Sequence, residues 1–163
     1  MSIKKNFSIA LATCGVGYFP LAPGTWGSLL AVLGYLGYQS LTANIQSDVR
    51  FTVTTTLLLA FCLIGIIASK IAADEMGEKD PSRVVVDEVM GQWITFAFIP
   101  FTSDWKLILS GFLLFRIFDI WKPFPINATQ EVGDGIGICV DDIVAGVYAG
   151  SILSIIALVF GLI

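Results

Sequence analysis

The chain has 163 residues, of which 56% are hydrophobic and only 13% charged, with a formal net charge of −4. That charged share is about half of what a soluble domain carries, too little to cover a domain of this size, so an integral membrane protein is expected. The negative balance and the lack of a Lys/Arg run exclude a general nucleic-acid binder, and the absence of histidine excludes His nucleophiles, His-based triads and ordinary His-ligated zinc or iron.

The N-terminal stretch KKNFSIALATC has a short apolar core, and Thr13 stands where a cleavable leader carries a small residue. Cleavage is therefore not expected. Five apolar stretches follow: Trp26 to Ala43, Phe51 to Ala73, Val84 to Ile99, Trp105 to Trp121 and Ile143 to Ile163. At about 20 residues per crossing, the second and last are clear spans, and the others are short or interrupted. Pro100 closes the third, while Pro123 and Pro125 follow the fourth, as helix stops do. The expected fold is all-α: a small polytopic helical membrane bundle of four to five spans, one domain over residues 1–163.

Positive charges set the orientation. With the N-terminus in the cytoplasm, Lys4, Lys5, Lys70, Lys79, Arg83 and Lys122 fall inside, and Arg50 and Lys106 fall outside. This places four polar stretches on the cytoplasmic side of the membrane. LAPGTWGSLL offers Gly24, Thr25, Gly27 and Ser28 at a helix entrance; VVVDEVMGQW offers Asp87 and Glu88; FRIFDIWKPFP offers Arg116, Asp119 and Lys122; GDGIGICVDDIVAG offers Asp134, Asp141 and Asp142.

Each stretch has an ordinary explanation. A Gly/Thr/Ser entrance is commonly a helix cap, although its free N–H groups also suit a phosphate. Acidic pairs near helix starts are favoured by the helix dipole. Arg116 and Asp119, spaced i,i+3, can pair with one another. Clustering at one end of an oily protein makes a joint role the better reading. A charge at the centre of a spanning helix costs about 2.5–3.5 kcal/mol, and short Asp side chains cannot reach far to water. Near the interface, where these acids gather, the cost is lower, but acids clustered together still need a cation. With no His and no paired Cys, the donors are hard oxygens, which suit Mg²⁺ best, with Mn²⁺ or Ca²⁺ as substitutes.

The blocks PGTWGSLL, VVVDEVMGQWIT, FRIFDIWKPFPI and GIGICVDDIVAGVYAG, in this order between about Thr13 and Gly150, closely resemble the bacterial phosphatidylglycerophosphatase A family. The resemblance implies a Mg²⁺-dependent membrane phosphatase that takes phosphatidylglycerophosphate to phosphatidylglycerol and phosphate. It implies functional positions at Thr25, Gly27 and Ser28, at Asp87 and Glu88, at Arg116, Asp119, Lys122 and Pro123, and at Asp141, Asp142 and Gly146. Gly133 and Asp134 depart from the family's pattern in the loop before the last block.

On this reading Glu88, Asp119, Asp141 and Asp142 hold one or two metal ions. Arg116 and Lys122 grip the phosphate with the Thr25 to Ser28 turn, and Asp87 positions the attacking water. Other phosphatase chemistries find no footing. The residue six places after each cysteine is Pro20, Ala68 or Ala145 rather than Arg, and no Asp-x-Asp nucleophile motif occurs. The rival readings are a cation-coupled transporter, with carboxylates spread through the bilayer, and a non-catalytic membrane subunit.

Overall fold

The structure is a computed structural model that describes residues 3–99, 101–124, 126–129 and 136–162, and all regular structure among them is helical. In chain order the helices are α1 (Ile3–Thr13), α2 (Pro23–Leu41), α3 (Ser47–Met76), α4 (Val86–Ala97), α5 (Trp105–Trp121), α6 (Ile126–Thr129) and α7 (Ile136–Val159), with a 3-10 turn at Val16–Tyr18. Two of them, α3 and α7, are long and apolar enough to cross a membrane. At 1.5 Å per residue, the 30 residues of α3 reach about 45 Å.

Helix limits follow local chemistry. Pro23 opens α2, where its missing N–H costs nothing. Asp104 caps α5 by accepting from the Lys106 N–H at 2.7 Å. Lys122 closes α5 in a left-handed conformation (φ 45), donating its N–H to the Phe118 carbonyl, and Pro123 prevents continuation.

Helix α4 comes from one of the short or interrupted apolar stretches. It has 12 residues, about 18 Å against a hydrocarbon core of about 30 Å, and Val86, Asp87, Val89 to Gln92, Thr95 and Phe96 are buried. A helix buried nearly all round, polar residues included, sits inside protein, and α4 packs against α2, α3, α5 and α7. Its contact with α7 is close: a Cβ on Gly146 would lie 2.4 Å from the Gly91 carbonyl oxygen. Thr95 Oγ1 donates to the Gly91 carbonyl at 2.9 Å and reaches that of Gly146 at 3.3 Å. Small residues thus let two backbones meet, and a hydroxyl ties them.

At one end α1 lies on α3, and the Ala12 carbonyl accepts the Val85 N–H at 2.9 Å. This bond and the packing of Ala12, Ala68, Ala72, Val84 and Val86 fix the start of α4. At the other end Tyr35, Phe96, Ile99, Leu107, Ile108, Leu153 and Ala157 form a second cluster. Buried Arg50, on the first turn of α3, donates there to Gln39 Oε1 and lies 4.0 Å from the Phe101 ring centroid. Asp141 and Asp142, expected near a helix start, fall in the second turn of α7, because the helix already begins at Ile136. Gly133 and Asp134 lie outside the described residues.

Candidate active site

The start of α2, the loop before α4, the start of α4, the end of α5 and the first turns of α7 surround a cavity of about 260 Å³. Among the described residues its walls carry six carboxylates (Asp80, Asp87, Glu88, Asp119, Asp141 and Asp142) against two cations, Arg116 and Lys122. That imbalance in a largely desolvated space calls for additional positive charge.

The acids are not evenly spread. Oxygens of Asp87, Glu88 and Asp142 lie within 4.8 Å of one another, and this buried acidic cluster could hold a metal ion. Asp87 Oδ1 and Glu88 Oε2 are buried without a hydrogen-bond partner. Buried carboxylate oxygens without partners, in side chains this close together, are expensive unless a cation joins them, so the donor set fits a hard divalent ion.

Each of the two cations has a carboxylate partner. Arg116 Nη1 lies 2.5 Å from Asp119 Oδ2, the i,i+3 pairing the sequence allowed, and Lys122 Nζ pairs with Asp141 Oδ2. Burial lowers the affinity of Lys122 for its proton, but the hydrogen bond and charge of Asp141, with Asp142 and Asp119, outweigh it and raise the lysine above its usual range. Its pairing contribution is complete below the ordinary lysine pKa and disappears only as pH rises through the raised value. Asp80 is pushed up by burial and by Asp141 and Asp119, against the pull of Lys122.

Seven anticipated side chains therefore meet: Asp87, Glu88, Arg116, Asp119, Lys122, Asp141 and Asp142. The helix entrance divides. Gly24 lines the cavity, where a Cβ would come 2.0 Å from Glu88 Oε1 and 3.1 Å from Arg116 Nη1. Ser28 is buried; its hydroxyl donates to the Gly24 carbonyl at 3.0 Å and accepts from Arg116 at 3.5 Å. Thr25 is half-buried and not part of the lining, and Gly27 packs against Val85.

Asp80 and Ser82 also line the cavity, although no motif in the sequence marks them. They sit in GEKDPSR, a polar loop that reads as ordinary solvent-exposed chain. The available signal was Asp80's place just upstream of Asp87. A larger hollow, about 550 Å³, lies between the start of α3 and the end of α4, but its walls are mostly apolar and, among the described residues, Asp48 is its one carboxylate.

The sequence profile of the family described as Phosphatidylglycerophosphatase A matches residues 9–157. Phosphatidylglycerophosphatase A of Escherichia coli (strain K12) is 40% identical over 140 residues, covering 85% of this chain and 76% of the relative. The protein of that name in Haemophilus influenzae is 39% identical over 151 residues, 91% of this chain and 87% of its own. A Bacteroides thetaiotaomicron protein provisionally named a phosphatidylinositol-3-phosphatase is 36% identical over 148 residues, 90% and 91% of the two chains. No solved structure is significantly similar.

Proposed function

The chain belongs to the phosphatidylglycerophosphatase A family, and we propose that it hydrolyses the terminal phosphomonoester of phosphatidylglycerophosphate to phosphatidylglycerol and phosphate. The observation that carries the reading is the convergence of Asp87, Glu88 and Asp142 within 4.8 Å, in a cavity that also presents Arg116 and Lys122.

Asp87, Glu88 and Asp142 are the residues that would hold Mg²⁺, with Asp119 and Asp141, engaged by Arg116 and Lys122, beside them. When bound, the ion supplies charge neutralisation at phosphoryl oxygens and a lowered pKa for water. Arg116 and Lys122 bind the phosphate. Their present partners, Asp119 and Asp141, keep both cations aimed along the wall and neutralise them until the anion arrives. Ser28 steadies the Arg116 guanidinium, and Gly24 leaves room for Glu88 beneath the first turn of α2, whose free N–H groups favour an anion. Thr25 and Gly27 shape that turn. Asp87, buried with an unpaired Oδ1, orients the attacking water.

The whole chain acts as one unit in the bacterial inner membrane. The cavity and N-terminus face the cytoplasm, α2, α3, α5 and α7 cross, and α4 is enclosed among them. The lipid's acyl chains stay in the leaflet while its phosphate occupies the cavity.

The test is phosphate release from phosphatidylglycerophosphate by purified protein in detergent. Release is expected with Mg²⁺, to stop with EDTA and to return on adding Mg²⁺. No release under any divalent ion would overturn the reading and leave a transporter or an accessory subunit. Phosphatidylinositol 3-phosphate belongs in the same assay, given the third relative, and is expected to be the poorer substrate.

A further inference from the structure

Two short stretches beside the cavity turn large apolar side chains outward. Leu21, two residues before the cavity-lining Pro23, is 88% exposed; Trp121 and Phe124, on either side of Lys122, are 72% and 81% exposed. At the molecule's other end comparable exposure falls at helix ends, at Leu41 (86%), Val159 (74%) and Phe160 (72%). Here it falls at the start of one helix and the end of another, beside a polar, charged hollow.

Both turns are built alike. Leu21 (φ 64) and Ala22 (φ 50) precede Pro23, and Lys122 (φ 45) precedes Pro123, all three in the left-handed region that non-glycine residues adopt at a cost. Such backbone persists only where the surroundings impose it. In the first turn, the Phe19 and Trp26 rings meet edge to face across Leu21, centroids 5.5 Å apart. In the second, Lys122 is held by its N–H on the Phe118 carbonyl and its ammonium on Asp141. The chain bends sharply at each place and is pinned there, leaving Leu21 and Phe124 turned away from the protein.

We propose that Leu21, Trp121 and Phe124 form an apolar lip that dips into the leaflet around the cavity mouth, so that a phosphomonoester lipid enters sideways with its acyl chains still in the bilayer. The occupant is the acyl-chain boundary of the leaflet, because the apolar residues are continuous with a hollow whose cations and acids suit a lipid's phosphate. Aromatic and leucine side chains are what that boundary accepts. The inference rests on the phosphatase reading above and adds which residues make the substrate's membrane location count.

The experiment compares Leu21→Asp and Phe124→Asp with the wild type on two substrates: long-chain phosphatidylglycerophosphate in proteoliposomes, and a dihexanoyl analogue kept below its micelle concentration in detergent. The expected result is a KM, as mole fraction in the bilayer, raised about tenfold by either change, with turnover of the dihexanoyl analogue within about twofold of wild type. An unchanged long-chain KM would overturn the lip, and so would equal losses on both substrates. Size exclusion of the same variants supplies the other arm: a change from dimer to monomer accompanying the loss would assign the surface to a second copy of this chain and also overturn the proposal. A wild type that cleaves neither substrate would instead remove the phosphatase reading.

Discussion

Single side chains at the cavity carry predictions of different kinds. Asp87→Asn keeps size and hydrogen bonding but cannot orient or deprotonate water, so phosphate release should fall about 10²- to 10⁴-fold with helical content by circular dichroism unchanged. Gly24→Ala acts one step removed. The added methyl would displace the flexible end of Glu88 from the acid cluster, and the Mg²⁺ concentration for half-maximal activity should rise about 10- to 100-fold. Cys14 tests the surroundings of Glu88 without catalysis. Burial first, and the charge of Glu88 second, push its thiol up to about 11, so alkylation by iodoacetamide followed by mass spectrometry should climb only as pH approaches that value. An ordinary rate at pH 8 would mean that Cys14 is not enclosed as described. The carboxylates and basic residues were legible in the sequence because an acid in an apolar run has no cheap explanation. Asp80 was not, since an aspartate in a polar loop between Lys79 and Pro81 costs nothing wherever it points.

At the scale of helices, the contact between α4 and α7 brings the two acidic pairs together. Gly91 faces the backbone of α7 one turn from Asp87 and Glu88, and Gly146 faces the backbone of α4 one turn from Asp142. Gly146→Ala forces a Cβ to 2.4 Å from the Gly91 carbonyl oxygen, and a helix backbone yields less readily than a side chain. The two helices should separate, with a loss of about 1–3 kcal/mol seen as a lowered Tm in detergent and a larger proportional loss of phosphate release. Normal activity in a destabilised variant would place the acids' alignment elsewhere. The limits of α5 were readable to the residue, since Asp104 and Pro123 bracket it chemically. The burial of α4 was not. Apolar residues facing lipid and apolar residues facing protein look alike in a sequence, and the short, Pro-terminated run carried the distinction only in its length.

For the molecule as a whole, the question is which side of the bilayer the cavity faces. Helix α3 joins its two ends: Arg50 and Gln39 lie at its start, and beyond its other end comes the loop that lines the acids. Because it is about 45 Å long and its outer residues Phe51, Leu57, Leu59, Leu63 and Ile67 are exposed, it fits a crossing with its ends in opposite aqueous phases. Lys4, Lys5, Lys79, Arg83 and Lys122 belong to the cavity's end, and this cationic bias is what supports the proposed cytoplasmic orientation of that end. The bias was visible in the sequence because it depends on composition between spans; the common hollow was not, because five segments far apart in sequence have to meet to make it. The orientation can be read with two single-cysteine proteins, Glu78→Cys and Asn44→Cys, each with Cys14, Cys62 and Cys139 replaced by Ser; both chosen positions are exposed. In intact spheroplasts a membrane-impermeant maleimide should modify residue 44 and spare residue 78, and in inverted vesicles the pattern should reverse. Labelling of residue 78 from outside would put the cavity on the external face, where a substrate from the cytoplasmic leaflet could not reach Arg116 and Lys122 without first crossing the bilayer.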